Sequence, residues 1–217
     1  MSAPRPDAAA RPGRFIALDG IDGAGKSSQI ALLADWLRAG GRDVVACRDP
    51  GSTSAGDAIR AILLDRHDLH VDATAEMLLY MAARAQLVAE VVRPALDRGA
   101  WVISDRYLLA NVVYQGYAGG LDPEVIRRVG AVATGGLLPD LVLLLDVDLE
   151  TAAARIARPL DKLENRGAEY RRRLREGFLA EAARAGDTIA VVDAGGDMAA
   201  VAARIRAAVT ARLPEAG

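Results

Sequence analysis

The chain has 217 residues, of which 52% are hydrophobic and 26% charged, and its formal net charge is −2. This balance excludes a wholly disordered or collagen-like chain, and the length fits one domain. A charge this close to zero gives no basic field that would attract nucleic acid. The apolar runs fall short of the roughly 20 residues of a membrane helix. We therefore expect neither nucleic acid nor a membrane as a partner.

The ends and the cysteine content predict where the protein works. One cysteine, Cys47, cannot form an internal disulfide and fits a reducing compartment, so a cytoplasmic protein is expected. Residues 1–13 are rich in Pro, Ala and Arg and lack the apolar stretch of a secretory signal, which predicts a disordered tail. The final residues, LPEAG, are expected to fray.

Short apolar runs alternate along the chain with longer helical patterns. The runs lack a two-residue alternation, which is typical of strands covered on both faces. They lie at Phe15–Asp19, Val44–Arg48, Trp101–Asp105, Leu141–Val147 and Thr188–Ala194. Helices are predicted at roughly residues 26–39, 53–64, 73–98, 122–134, 149–158, 164–185 and 197–212. This alternation predicts an α/β fold of three layers, with a five-stranded parallel sheet between helices.

Acidic residues stand at or near the ends of several of these strands. Asp19, Asp105 and Asp146 end or nearly end the first, third and fourth runs. In an open parallel sheet, ligands bind outside the carboxyl ends of the strands. The sequence therefore predicts the site at this edge.

A glycine-rich segment after the first strand matches the pattern G-x-x-x-x-G-K-[ST] and leads into a predicted helix. Backbone N–H groups of such a loop converge on phosphate oxygens. Lys26 would reach the β- and γ-phosphates of ATP or GTP, and the Ser27 hydroxyl would ligate Mg²⁺. The alternative is a turn whose lysine is merely solvated. The residues predicted to bind the nucleotide are Gly20, Ile21, Asp22, Gly23, Ala24, Gly25, Lys26, Ser27 and Ser28.

Together with this loop, four further segments resemble the successive signatures of thymidylate kinases, in the order and spacing of that family. They are RDPGST at 48–53, LLYMAARAQLV at 78–88, SDRYLLANVVYQG at 104–116 and PLDKLE at 159–164. The resemblance implies a P-loop NTPase fold with one nucleoside monophosphate kinase domain over residues 14–213 and a mobile lid over about 155–166. It further implies ATP and Mg²⁺ as cofactors, dTMP as the substrate, and a homodimer.

The pair Tyr80 and Arg84 is predicted to hold a pyrimidine. Four residues apart on a helix, the two side chains share one face, where the ring can stack on a base and the guanidinium can donate to a base carbonyl. From the residues alone, a buried tyrosine beside a solvated arginine is the alternative. The resemblance implies that the pair grips thymine, although the family usually has Phe at 80 and an acid where Ala83 stands.

Asp105 and Arg106 follow the third strand, where an aspartate can hold a metal and an arginine can bind a phosphate. An ordinary ion pair is the alternative. The resemblance implies contacts with the metal and with the acceptor phosphate. It also implies that Asn111 meets the thymine edge and that Tyr114 excludes a ribose 2′-hydroxyl, both from the next helix. A core role is the alternative for Tyr114.

The resemblance assigns three more residues near the phosphates, and it implies that one of them, Asp49, lies near the metal. Arg48 is expected to contact the acceptor phosphate, and Asp22 to orient the 3′-hydroxyl of deoxyribose or the metal shell. Simple turn chemistry is the alternative for Asp22. Ser52 stands where the family usually has glycine, which restricts the backbone.

Catalysis needs a cation close to the phosphoryl group in transfer. Some thymidylate kinases carry an arginine in the phosphate loop directly after the aspartate, but this chain has Gly23 there. The cation is therefore expected from the lid, as in the bacterial type, with Arg158 as the first choice and Arg155 as the second. The role of Lys162, where the family usually has arginine, stays open.

Two other functions remain possible at this stage. A kinase of the same fold could act on a different nucleoside monophosphate, and a non-catalytic module could bind ATP as a regulator. The set Tyr80, Arg84, Asn111 and Tyr114 argues against the first, and the presence of Asp105, Arg106 and the lid arginines argues against the second.

Overall fold

The computed structural model describes residues 13–66, 68–156 and 167–216. Within these residues the strands form one five-stranded parallel sheet in the order β2-β3-β1-β4-β5. The strands are β1 (Phe15–Asp19), β2 (Val44–Arg48), β3 (Trp101–Asp105), β4 (Leu141–Asp146) and β5 (Ile189–Asp193). The predicted parallel α/β sheet is confirmed, and each predicted strand end lies within one residue of the observed one.

Helices connect the strands and cover both faces of the sheet. They are α1 (Lys26–Ala39), α2 (Ser54–Leu64), α3 (Ala73–Leu87), α4 (Arg93–Asp97), α5 (Leu108–Asn111), α6 (Pro123–Thr134), α7 (Leu149–Arg155), α8 (Ala168–Ala185) and α9 (Met198–Arg212). A π-helical turn at Val88–Val92 joins α3 to α4, and a second at Val112–Tyr117 extends α5. Pro94 lies in the first turn of α4, where its missing N–H costs little.

Strand β1 lies at the centre of the sheet and supplies both layers of the core. Ile16 and Leu18 pack into a cluster that includes residues of α1, α8 and α9. Phe15 and Ala17 pack into a second cluster with residues of α3 and α6. Successive side chains of a strand point to opposite faces, so one strand holds the three layers together.

Helix α1 begins differently from most of the other helices. Side chains accept hydrogen bonds from first-turn N–H groups at the starts of α2, α3, α6, α7 and α9. Helix α1 begins at Gly25, which has φ +91° and provides no side-chain cap. Its first N–H groups therefore remain available for an anion.

The end of the chain differs from the sequence prediction. Leu213 and Ala216 are buried, and Pro214–Ala216 forms a 3₁₀ turn whose Glu215 pairs with Arg14. The expectation that residues 213–216 fray is wrong, because these apolar side chains complete the core beside α9. The predicted tail lies, up to residue 12, outside the described residues. Among the described helices, none is long and apolar enough to cross a membrane.

Candidate active site

The strand register brings the predicted site residues together at one edge of the sheet. Arg48 of β2 pairs with Asp105 of β3, and Asp105 lies opposite Leu18 of β1, directly before Asp19. A cleft of about 840 Å³ opens at this edge and reaches from the start of α1 to α3 and α5. The predicted location of the site is therefore where the structure has its cleft.

Lys26 is turned into the loop that precedes its own helix. Its Nζ donates to the carbonyls of Gly20 at 3.1 Å and Ile21 at 3.0 Å, and it lies 3.7 Å from Asp22 Oδ1. Burial and the neighbouring Arg106 lower the pKa of Lys26. At 8% exposure, Lys26 is not a solvated surface lysine. A phosphate in the loop would replace the two carbonyls as its partner.

Gly23 has a steric reason to be glycine. Its φ is +85°, and a Cβ there would lie 2.1 Å from the carbonyl oxygen of Ala152 in α7. A side chain at this position would therefore displace α7. This packing agrees with the expectation that the phosphate loop does not supply the catalytic arginine.

Two oxygen atoms that could ligate a metal, from Ser27 and Asp105, lie together at the mouth of the phosphate loop. The Ser27 hydroxyl donates to Asp105 Oδ2 at 3.2 Å, and both Ser27 and Ser28 face the cleft. Among the described residues, no group of three or more His, Cys, Asp or Glu could hold a metal ion. A hydroxyl and a carboxylate suit a hard divalent cation that takes its remaining ligands from phosphates and water, as Mg²⁺ does.

Arg106 connects the loop to the far side of the cleft. Its Nη1 donates to Asp19 Oδ1 at 3.2 Å, and its Nη2 donates to Asp22 and to the Tyr114 hydroxyl. The residue has φ +68°, in the left-handed region that few residues other than glycine adopt. Several ion pairs and hydrogen bonds hold this conformation, as is common where strain serves a site.

The carboxylates of Asp19, at the end of β1, and of Asp22, in the phosphate loop, have pKa values shifted in opposite directions. Burial raises the pKa of Asp19 to about 6, against the opposing effect of Arg106 and Lys26. Burial also opposes ionisation of Asp22, but Arg106 and Lys26 outweigh it and hold the pKa of Asp22 well below its ordinary value. Asp22 is therefore a permanent acceptor, whereas Asp19 titrates just below neutral pH.

Tyr114 belongs both to the cleft and to the core. Its hydroxyl donates to Asp22 Oδ2 at 2.9 Å, and its ring lies edge-on to Phe178 at 6.2 Å. A core role for Tyr114 and the predicted role of excluding a ribose 2′-hydroxyl are therefore compatible.

The opposite wall of the cleft contains Tyr80 and Arg84, both on α3. Arg84 is 1% exposed, so the alternative of a solvated arginine is wrong. Its Nε donates to Asp49 Oδ2 at 2.5 Å and its Nη1 to Asn111 Oδ1 at 2.5 Å. Burial raises the pKa of Asp49, although Arg84 opposes this. Tyr80 is also buried and lines the same wall.

Arg48 and Arg60 both line the cleft, close enough for Arg48 to act on Arg60 electrostatically. Arg48 is half exposed and pairs with Asp57 at 3.1 Å. Arg60, which the sequence interpretation missed, donates to the Pro50 carbonyl at 3.1 Å, and burial together with Arg48 lowers its pKa. Two cations that line the same cleft suit an anion. Ser52 has φ +63°, and its hydroxyl accepts from the Arg48 N–H at 2.9 Å, which compensates for the missing glycine.

The arginines predicted for the lid are only partly described. Arg155 ends α7 and donates to the carbonyls of Ala194 and Gly196, each at 3.0 Å. It thereby ties the end of α7 to the loop after β5, at the cleft. Arg158 and Lys162 lie outside the described residues, as does most of the predicted lid.

Gln115 and Glu76 were not predicted from the sequence, whereas the resemblance implied that Asp49 lies near the metal. Gln115 and Asp49 line the cleft, and Glu76 accepts a hydrogen bond from Gln115 Nε2 at 2.9 Å. The four-residue spacing of Glu76, Tyr80 and Arg84, which puts them on one face of a helix, is the signal that could have included Glu76.

A phosphate loop between β1 and α1 of a parallel sheet, in one cleft with Tyr80 and Arg84, defines an enzyme of the P-loop NTPase fold, a nucleoside monophosphate kinase. The family model described as thymidylate kinase matches residues 18–205. The chain belongs to the thymidylate kinase family.

Individual relatives agree with this. A thymidylate kinase of Rhodopirellula baltica is 47% identical over 196 residues, covering 90% of this chain and 80% of its own. One of Chromohalobacter salexigens is 46% identical over 206 residues, covering 93% of this chain and 97% of its own. A crystal structure of thymidylate kinase from Ehrlichia chaffeensis shares the fold with a TM-score of 0.74 and 27% identity, covering 91% of this chain and 99% of that one.

Proposed function

We propose that the protein transfers the γ-phosphoryl group of ATP to dTMP, giving ADP and dTDP for dTTP synthesis. The observation that carries the proposal is that Lys26 and the pair Tyr80 and Arg84 line the same cleft of about 840 Å³. A phosphate oxygen of dTMP forms a bond to the γ-phosphorus while the bond to the bridging oxygen of ATP breaks. Positioning and charge neutralisation supply most of the catalysis in such a transfer.

The described residues divide between the two substrates. Lys26 and the free N–H groups of α1 would bind the ATP phosphates, while Arg48 and Arg106 would bind the dTMP phosphate. Asp22, held ionised, would accept a hydrogen bond from the 3′-hydroxyl. Tyr114 would fill the space of a 2′-hydroxyl.

We assign Mg²⁺ to Ser27 and Asp105, whose oxygens lie 3.2 Å apart. The ion neutralises phosphate charge when bound. Arg158 is our first choice for the lid cation and Arg155 the second. The proposal includes one kinase domain over residues 14–213 with its lid at about 155–166 and a homodimer, which rest on the family resemblance. It also includes a cytoplasmic location, which the single cysteine favours.

The test is ADP release, coupled to a second enzyme, with Mg-ATP and a panel of dTMP, dUMP, dCMP, UMP, dAMP and dGMP. We expect dTMP to have the highest kcat/KM, and the Lys26→Ala variant to lose turnover with every substrate. Preference for another monophosphate would assign a different acceptor. No ADP release with any of them would favour a non-catalytic role.

A further inference from the structure

A chain of hydrogen bonds runs through the wall behind the base pocket. Glu76, Tyr80 and Arg84 follow one another at four-residue intervals on α3, and two amides connect the outer two. Gln115 Nε2 donates to Glu76 Oε1 at 2.9 Å, and Asn111 Nδ2 donates to Gln115 Oε1 at 2.8 Å. Arg84 Nη1 donates to Asn111 Oδ1 at 2.5 Å. We call Glu76, Gln115, Asn111 and Arg84 the polar relay.

The two ends of the polar relay allow one direction. The Arg84 guanidinium donates and cannot accept, while an ionised Glu76 accepts and cannot donate. Turning both amides around would place N–H against N–H at Arg84 and oxygen against oxygen at Glu76. The four side chains are between 1% and 8% exposed, so water cannot readily relieve such a mismatch. The Asn111 oxygen is therefore held beside the guanidinium.

Arg84 retains little hydrogen-bonding capacity for a ligand. Its Nε–H is bonded to Asp49, both Nη1–H groups point to Asn111 and Met81, and one Nη2–H is bonded to the Tyr107 carbonyl. Of its five N–H groups, one Nη2–H has no acceptor among the residues that the structure describes. The wall thus offers a donor from Arg84 and the second lone pair of the Asn111 oxygen.

We propose that Glu76 is a positioning residue that selects the base of the acceptor by setting the direction of the polar relay; this rests on the function proposed above. Thymine and uracil present an N3–H donor beside the O4 acceptor, which matches the oxygen and the guanidinium. Cytosine presents an unprotonated N3 beside an amino group, the reverse pattern. A pocket built to hydrogen-bond one edge rejects the other because its buried polar groups are left unpaired.

The test uses two variants. The first replaces the Glu76 carboxylate, which can only accept hydrogen bonds, and the second places a carboxylate at position 115 instead. In Glu76→Gln the new amide can donate to a reversed Gln115, so reversal of both amides for cytosine no longer places oxygen against oxygen at position 76. Only the contact of N–H groups at Arg84 still opposes reversal, and the direction of the relay is therefore less strongly fixed. In the double variant Glu76→Gln with Gln115→Glu, a carboxylate at 115 accepts directly from Asn111 Nδ2, and the net charge is that of the wild type. Glu90→Gln, an exposed position just beyond α3, is the matched control.

Dissociation constants for dTMP and dCMP are measured by calorimetry, with kcat and KM for dTMP and the melting temperature of each variant. We expect the preference for dTMP to fall about tenfold in Glu76→Gln, mainly through weaker dTMP binding and a higher KM, and to return to within about threefold in the double variant. Glu90→Gln should match the wild type.

An unchanged preference in a folded Glu76→Gln, or no recovery in the double variant, would overturn the proposal and leave Glu76 a structural role. Because the wild type is measured first, failure of the proposed function is distinguishable: it would show as absent dTMP turnover in the unaltered chain.

Discussion

The hydroxyl of Tyr114 donates to Asp22 across 2.9 Å, and this hydrogen bond links the phosphate loop to the helical segment after β3. Arg106 reinforces the connection, because its guanidinium lies over the Tyr114 ring at 4.8 Å and also contacts Asp22. The nucleotide side and the acceptor side of the cleft therefore share one set of contacts. A substitution on the nucleotide side is therefore expected to alter binding on the acceptor side, and the reverse.

Tyr114→Ala should improve the use of UMP relative to dUMP, because removing the ring opens the space that a 2′-hydroxyl needs. We expect the ratio of their kcat/KM values to rise about tenfold. Tyr114→Phe is the matched control, since it keeps the ring and loses the hydrogen bond to Asp22. An equal shift in both variants would assign sugar selection to the hydroxyl, and no shift in either would remove Tyr114 from it.

Asp105→Asn should raise the Mg²⁺ concentration needed for half-maximal turnover about tenfold, because a neutral amide holds the ion or its waters less firmly than a carboxylate. The measurement is the initial rate against Mg²⁺ at saturating ATP and dTMP. Asp43→Asn, an exposed aspartate paired with Arg98, is the control. A Mg²⁺ dependence equal to that of the control would place the ion elsewhere.

Arg158→Ala should lower kcat about 10³-fold with little change in dTMP affinity, if the lid supplies the transition-state cation. Arg155→Ala should have the smaller effect on kcat, since the guanidinium of Arg155 is bonded to the Ala194 and Gly196 carbonyls. Steady-state kinetics of both variants decide the order. The reverse order would make Arg155 the catalytic arginine.

Arg84→Met should destabilise the fold by about 3–5 kcal/mol, because Asp49 would remain buried without its cation. Urea unfolding gives the free energy. The double variant with Asp49→Asn removes the unpaired charge and should recover at least about 1 kcal/mol. Equal stabilities of the single and double variants would show that the ion pair is not the source of the loss.

Stability should depend on the ionisation of Asp19 between about pH 4 and pH 6. The pKa of Asp19 in the folded protein is raised to about 6, above the ordinary value of 3.8, so the unfolded chain loses this proton first as the pH rises. The contribution of Asp19 to stability therefore falls with rising pH, by about 2 kcal/mol between pH 4.5 and pH 7.

The check is urea unfolding of the wild type and Asp19→Asn at both pH values. The stability of the wild type relative to the variant should decrease from pH 4.5 to pH 7. A constant difference between the two proteins would contradict the raised pKa.

Most of the fold could be predicted from the sequence because the signals are local. Continuous apolar runs mark strands that are buried on both faces, and the pattern around Lys26 identifies the phosphate loop and the helix after it. The strand ends then locate the cleft. Each of these inferences needs only neighbouring residues and the geometry of a parallel sheet.

The wall of the base pocket depends instead on contacts between distant positions. Arginine is so common in this chain that the sequence does not distinguish the buried Arg84 from exposed ones. Glu76 and Gln115 are 39 positions apart, and they meet through a π-helical turn for which the sequence has no signal. The left-handed backbone of Arg106 is likewise set by its ion pairs.

The contacts of Arg14 have a practical consequence for redesign. Arg14 pairs with Glu215 and with Asp140, so the start of β1 and the end of the chain are adjacent at the amino edge of the sheet, opposite the cleft. A short linker from residue 216 to residue 13 would suffice for circular permutation, with new termini beside the exposed Leu138. The linker and the new termini both lie away from the carboxyl edge of the sheet, where the cleft opens. A permuted enzyme should therefore retain its activity.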